Sequence, residues 1–257
     1  MKLRTLLAAT ATLALLVPLA GAEPIRKGNV QVDFDANIAP KALPRTGSAP
    51  VSIAIEGKIG TTDGSPPPQL SQVKIEINGH GKLDTKGLAV CRLDQIQPAT
   101  TRGALEACGD ARVGAGSFSA DVVIPEQSPF PSDGEVVAFN GVQGGKPVIF
   151  AHVYGVEPIP TSFTLPLKVS HAKGRFGAVL TATLPNVTSS VASVTGISLN
   201  LHRTYSFKGE RRSYLSAGCP APKGFPGTLY ALARASFEFA AGPRLVSTLT
   251  RECRVRG

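Results

Sequence analysis

Between its turns the chain alternates apolar and polar residues. In Val51 to Gly57, Val51, Ile53 and Ile55 fall on one side and Ser52, Ala54 and Glu56 on the other. The same pattern runs through Val73 to Asn78, Phe163 to Val169 and Ile197 to His202. Successive side chains of a strand point to opposite faces, so a period of two with one apolar side is the mark of a half-buried strand. Lys146 to Tyr154 departs from it, with Val148, Ile149, Phe150 and Val153 populating both faces, as a central strand covered on each side would. Phe176 to Thr183 and Ser236 to Phe239 read as further strands. The chain's 27 glycines and 21 prolines cut these runs short, which excludes long helices. Pro166 sits inside its strand and cannot donate to a ladder, which predicts an edge position.

Only one stretch has helical character. Thr100 or Thr101 would cap it, Ala104, Leu105 and Ala107 would form its apolar side, and Gly109 would end it. Many short strands with one short helix predict an all-β fold, an antiparallel β-sandwich of about ten to twelve strands. Glu157-Pro158-Ile159-Pro160 marks either a seam between two units or a kinked crossover between sheets, and one continuous domain over residues 23–257 is the preferred reading.

The amino terminus carries Lys2 and Arg4, then an apolar stretch from Leu6 to Leu19, then Ala20-Gly21-Ala22. Basic head, short apolar core and small exit residues read as a secretory signal over residues 1–22. A membrane span needs about 20 apolar residues, and this core is shorter and closes on Pro18. Export predicts a protein that is secreted or associated with the cell envelope. Loss of residues 1–22 would lower the formal charge from +9 to +7.

Four cysteines follow: Cys91, Cys108, Cys219 and Cys253. An even count in an exported chain predicts two disulfides. Three pairings exist, and loop closure favours the local ones, Cys91–Cys108 and Cys219–Cys253. Their spacing is too long for a zinc site, and no metal or other cofactor is expected.

The positive charge is scattered, with its densest spots at Lys208 to Arg212 and in the tail Arg251, Arg254 and Arg256. A field of this sign favours anionic partners, such as an envelope polymer or an acidic surface protein. Nucleic acid is disfavoured, because there is no tryptophan and no basic stripe interleaved with aromatics on which bases could stack. The candidate binding cluster is Lys208, Arg211 and Arg212 with Tyr205 and Tyr214.

Motifs with catalytic associations fail on context. Ser71-Gln72-Val73-Lys74 opens a strand, where residues three apart face opposite sides, and Ser170-His171-Ala172-Lys173 lies in a turn. Leu43-Pro44-Arg45-Thr46-Gly47 spells the sortase sorting pentapeptide, but it precedes the first clear strand and no apolar tail follows it. Of the four histidines, His152 is the best candidate base, in an apolar strand beside Phe150 and Tyr154. The carboxylates Asp33, Asp35, Glu135, Glu157 and Glu238 are dispersed. Asn186-Val187-Thr188 is a glycosylation sequon. No catalytic residue is therefore assigned. The function expected is non-catalytic binding, and the alternative is a secreted hydrolase of envelope glycan or ester.

Three phrases, Gly81-Lys82-Leu83-Asp84-Thr85-Lys86-Gly87-Leu88, Ala138-Phe139-Asn140-Gly141 and Cys219-Pro220-Ala221-Pro222-Lys223-Gly224-Phe225-Pro226-Gly227, together resemble an uncharacterised group of exported bacterial all-β proteins with no assigned activity. The resemblance implies export and supplies no mechanism.

Overall fold

The computed structural model describes residues 24–122, 126, 128–157, 160–184 and 192–256. The expected signal, the sequon and Pro158-Ile159 lie outside the described residues.

In chain order the strands are β1 (Ile25–Lys27), β2 (Val30–Ala39), β3 (Ala42–Leu43), β4 (Ala49–Pro50), β5 (Ser52–Thr61), β6 (Leu70–Asn78) and β7 (Gly81–Leu83). Two short helices follow, α1 (Leu93–Ile96) and α2 (Thr101–Cys108). Then come β8 (Arg112–Val122), β9 (Phe130–Gln143), β10 (Lys146–Gly155), β11 (Thr161–His171), β12 (Phe176–Thr183) and β13 (Ala192–Leu201). The chain ends with β14 (Thr204–Phe207), β15 (Glu210–Ser213), β16 (Leu215–Ala217), β17 (Gly227–Phe239) and β18 (Leu245–Val255).

The all-β expectation holds, and the sandwich is corrected. One sheet of 13 strands runs in the order β1-β2-β5-β13-β8-β9-β10-β11-β12-β6-β17-β18-β3. Every pairing in it is antiparallel except β18 with β3. The sheet curls into a half-barrel around a single core. Phe118 on β8 meets Phe163 on β11 edge-to-face at 5.5 Å although two strands lie between them. Phe34 on β2 meets Phe237 on β17 at 5.9 Å, so strands distant in the sheet face each other across the interior. The two ends of the curl are joined by side chains instead of a ladder: Arg251 on β18 donates to the Ala36 carbonyl on β2 at 3.0 Å and pairs with Asp35. Alternation tells an inner face from an outer one, but an inner face can be closed by a second sheet or by the same sheet returning. The choice is made by contacts far apart in sequence.

Short elements close one end of the curl. β16 pairs with β4 and β7 as a three-stranded lid, and its Leu215 and Ala217 join the core. β10 is covered on both sides as expected. Ile149, Ala151 and Val153 enter the core, while Val148 and Phe150 pack outward against a second cluster. That cluster is a strap formed by α1 and α2, with Ile96 and Ala104 buried against Val137 and Phe139. Cys91–Cys108 ties its two ends together. Thr100 caps α2 by accepting from Gly103 N, and α2 stops before Gly109, so this helix was well marked in the sequence. α1 was not.

Pro166 is also corrected. β11 is interior to the sheet, yet β12 pairs with it only from Leu167 onward. Pro166 pairs with Phe150 on one side and occupies the place where the ladder on its other side stops, which tolerates the missing donor. β10 and β11, on either side of residues 157–160, pair along most of their length.

Candidate functional site

Strand directions decide where the charges go. The connections at the lid end of the curl are those between β2 and β5, β6 and β8, β9 and β10, β11 and β12, β13 and β17, and the end of β18. They carry the exposed cations Lys41, Lys86, Lys146, Lys173, Arg175 and Arg211. Four acids at that end are already occupied: Asp84 and Glu210 by Arg212, Asp94 by Arg92, and Glu252 by Arg254, all at 3.0–3.4 Å. The opposite end carries Asp63, Asp121, Asp133, Glu157 and Glu238, with Arg26, Lys27, Arg102 and Arg244 among its cations. A charge distribution that is diffuse along the chain thus becomes a basic end and an acidic end.

The cluster expected to bind is partly absorbed into structure. β14 and β15 form a hairpin with Lys208 and Gly209 at its tip, both in the left-handed region. The hairpin clamps the loop after β7. The Tyr205 hydroxyl donates to the Lys86 carbonyl at 3.0 Å, and Arg212 holds Asp84. Phe207 lies against Gly87, whose φ of +78° and lack of a side chain leave room for the ring. Burial raises the Tyr205 hydroxyl above its usual range. Tyr214 is 0% exposed in the core and is removed from the binding set, since no surface partner can reach it. Lys208 and Arg211 remain exposed. Lys86 joins them, brought close by the Tyr205 hydrogen bond. No spacing in the sequence signalled that.

The other candidates have structural placements. Leu43 of the Leu-Pro-Arg-Thr-Gly stretch is fully buried in β3. Arg45 of the same stretch donates to the Ala221, Pro222 and Phe225 carbonyls. Ser71 donates to the Glu238 carbonyl at 2.8 Å, and Lys74 pairs with buried Glu76, so the first Ser-x-x-Lys holds strands together. Glu76 is held below the usual carboxylate range chiefly by Arg234 at 2.5 Å.

Comparison with known protein families, curated proteins and solved structures finds no match.

His152 lies on the outer face of β10 beneath the strap, 0% exposed, with neither ring nitrogen hydrogen-bonded. Across the ladder from it, Thr164 also has a buried hydroxyl without a partner. A substrate cannot reach His152, which removes it as a general base. Burial pushes its pKa below the ordinary value of 6.5, and the Ile96 backbone offsets part of that shift without reaching hydrogen-bond geometry. The unfolded chain therefore takes up this proton first as pH falls. Stability is fully present above about pH 6.5 and decreases below it, by up to about 1.4 kcal/mol per pH unit. Denaturant unfolding at several pH values checks this. The His152→Leu variant is expected to flatten the dependence in that window, and an unchanged slope would refute the assignment.

Beside the strap, α2 and the ends of β9 and β10 border an open groove of about 990 Å³. Glu106, Asp133, Glu135, Arg102 and Tyr154 line it. Asp133 accepts from the Ser119 hydroxyl at 2.6 Å. Asp33 and Asp35 lie on the outer face of β2, and Glu238 pairs with Arg244, so the dispersed carboxylates do not assemble as one site. Among the described residues there is no group of three or more His, Cys, Asp and Glu placed to hold a metal ion. Among the same residues, no helix is long and apolar enough to cross a membrane.

Proposed function

We propose that this is a non-catalytic protein of the extracellular space or cell envelope that binds an anionic surface partner through its basic end. The observation that carries the reading is the gathering of unpaired lysines and arginines around the lid, where four of the acids are already engaged by arginines. Cations whose neighbours leave them uncompensated project a field into solvent, and such a field concentrates anions and speeds their capture. The two disulfides suit an oxidising compartment, as the expected amino-terminal signal would require. Surface polymers bearing phosphate or carboxylate have the chemistry this end would recognise.

Inorganic polyphosphate is a direct probe. Its affinity for the protein is expected to fall at least about tenfold as ionic strength rises from about 0.05 to 0.5 M, because exposed charges are screened within a Debye length. Absence of binding at low salt, or an affinity indifferent to salt, would overturn the reading.

A further inference from the structure

The basic end also carries a feature that charge alone does not explain. The loop Cys219–Gly227 presents Phe225 with 61% of its surface exposed, although its backbone is tied down at several points. Cys219 is bonded to Cys253 on β18. Arg45 binds three of the loop's carbonyls. Cys219 N donates to Pro44 O at 2.9 Å, Phe225 N to Pro222 O at 3.1 Å, and Val255 N to Pro226 O at 2.7 Å. The chain thus fixes in place the backbone beneath an aromatic side chain that has no polar atom with which to satisfy water.

Cations surround this tip. Lys223 precedes it by two residues. Arg254 N bonds Lys41 O at 2.9 Å and Arg256 N bonds Leu43 O at 2.8 Å, which brings Lys41 and Arg256 beside the strand end that receives Pro226, where Arg254 is itself paired with Glu252. Leu229 on β17 is 71% exposed as well, across the ladder from Glu252. An apolar tip within a cationic collar matches the interface of an anionic bilayer, where rings enter the headgroup region and Lys and Arg meet lipid phosphates. A soluble polyanion would gain from the collar and nothing from the ring. A rigid tip also loses little conformational freedom on insertion.

We infer that the anionic partner of the basic end is a lipid surface, and that Phe225 is the residue that enters it. This rests on the reading of the basic end given above, and the test separates the two.

The chain has no tryptophan, so Phe225→Trp introduces a single emission reporter. Vesicles of phosphatidylcholine containing phosphatidylglycerol are expected to bind the protein and shift that emission to the blue. Vesicles of phosphatidylcholine alone are expected to do neither. Phe225→Ser should weaken vesicle binding about tenfold or more while leaving polyphosphate binding unchanged. Lys41→Gln with Lys223→Gln should weaken vesicle binding about thirtyfold. All these positions are exposed, and thermal unfolding of each variant confirms an intact fold. Binding to polyphosphate without binding to anionic vesicles would overturn the lipid inference and leave the charge reading standing. Vesicle binding with unshifted emission would overturn the role of Phe225. Failure to bind either probe would overturn both readings.

Discussion

Replacing both Cys219 and Cys253 by alanine is expected to lower the unfolding free energy by about 4 kcal/mol. The bond joins residues 34 apart, against 17 for Cys91–Cys108, and a longer loop confines the unfolded chain more. The shorter bond is accordingly expected to contribute about 3 kcal/mol. Burial adds to the cost of losing either bond, because Cys219 and Cys253 are fully buried in the main core and Cys91 and Cys108 are buried in the cluster beneath the strap. The order of the two costs therefore rests on loop length. A domain of ordinary stability has about 5–15 kcal/mol in total, so the double variant should unfold well before the parent. Denaturant unfolding of both double variants checks the size and the order. A cost below about 1 kcal/mol for Cys219→Ala with Cys253→Ala would refute the argument.

Both pairings were legible in the sequence for the same reason that makes them stabilising: loop closure depends on separation, which is a sequence property. Individual strands were legible too. The expected Phe176 to Thr183 is β12 residue for residue, and Lys146 to Tyr154 is β10 less one residue. Alternation is local, and so is the burial it reports. What stayed hidden is set by contacts between segments far apart. Nothing in the run from Phe34 to Phe237 announces that those rings touch, and their meeting is what separates a curled sheet from a sandwich. Arg251 belongs to a tail that reads as a loose basic patch, yet it joins the two ends of the curl.

The binding surface was legible only in part, and again topology is the reason. The cluster between Tyr205 and Tyr214 is contiguous in the chain and was visible. Within it, Arg212 and Tyr205 turned out to hold the hairpin down, and Tyr214 to fill the core. Lys41, Lys86, Lys173 and Arg256 are far apart in sequence and gather because antiparallel strands return alternate connections to the same end. Their common location follows from strand direction, which composition does not encode. Phe225 was recognisable as part of a Pro-rich stretch, but its fixed exposure depends on Arg45, a residue 180 positions away.

The glycines show how a local reading misleads. In the sequence they mark turns, and most of those with positive φ do sit there. Gly116 does something else. It lies inside β8, opposite Leu199 of β13, and an added Cβ would stand 1.9 Å from the Ser198 carbonyl oxygen. Gly114, two residues earlier on the same face, would meet the Asn200 oxygen at 2.4 Å. The obstruction in both cases is neighbouring backbone, which cannot rotate aside as a side chain would. Glycine within a strand permits the close approach that a sharply bent sheet needs. Gly116→Ala is therefore expected to cost about 3 kcal/mol or more, at the upper end for a single methyl group. Gly60→Ala is the control: it too lies within a strand, β5, but open space surrounds its added methyl, so stability should change by less than about 1 kcal/mol. Denaturant unfolding of the pair decides whether β8 is where the curl is set. Equal costs would mean that the bend is distributed along the sheet. A large cost at Gly116 alone would tie the approach of the sheet's two ends, and the end-to-end sorting of charge that follows from it, to one close contact between β8 and β13.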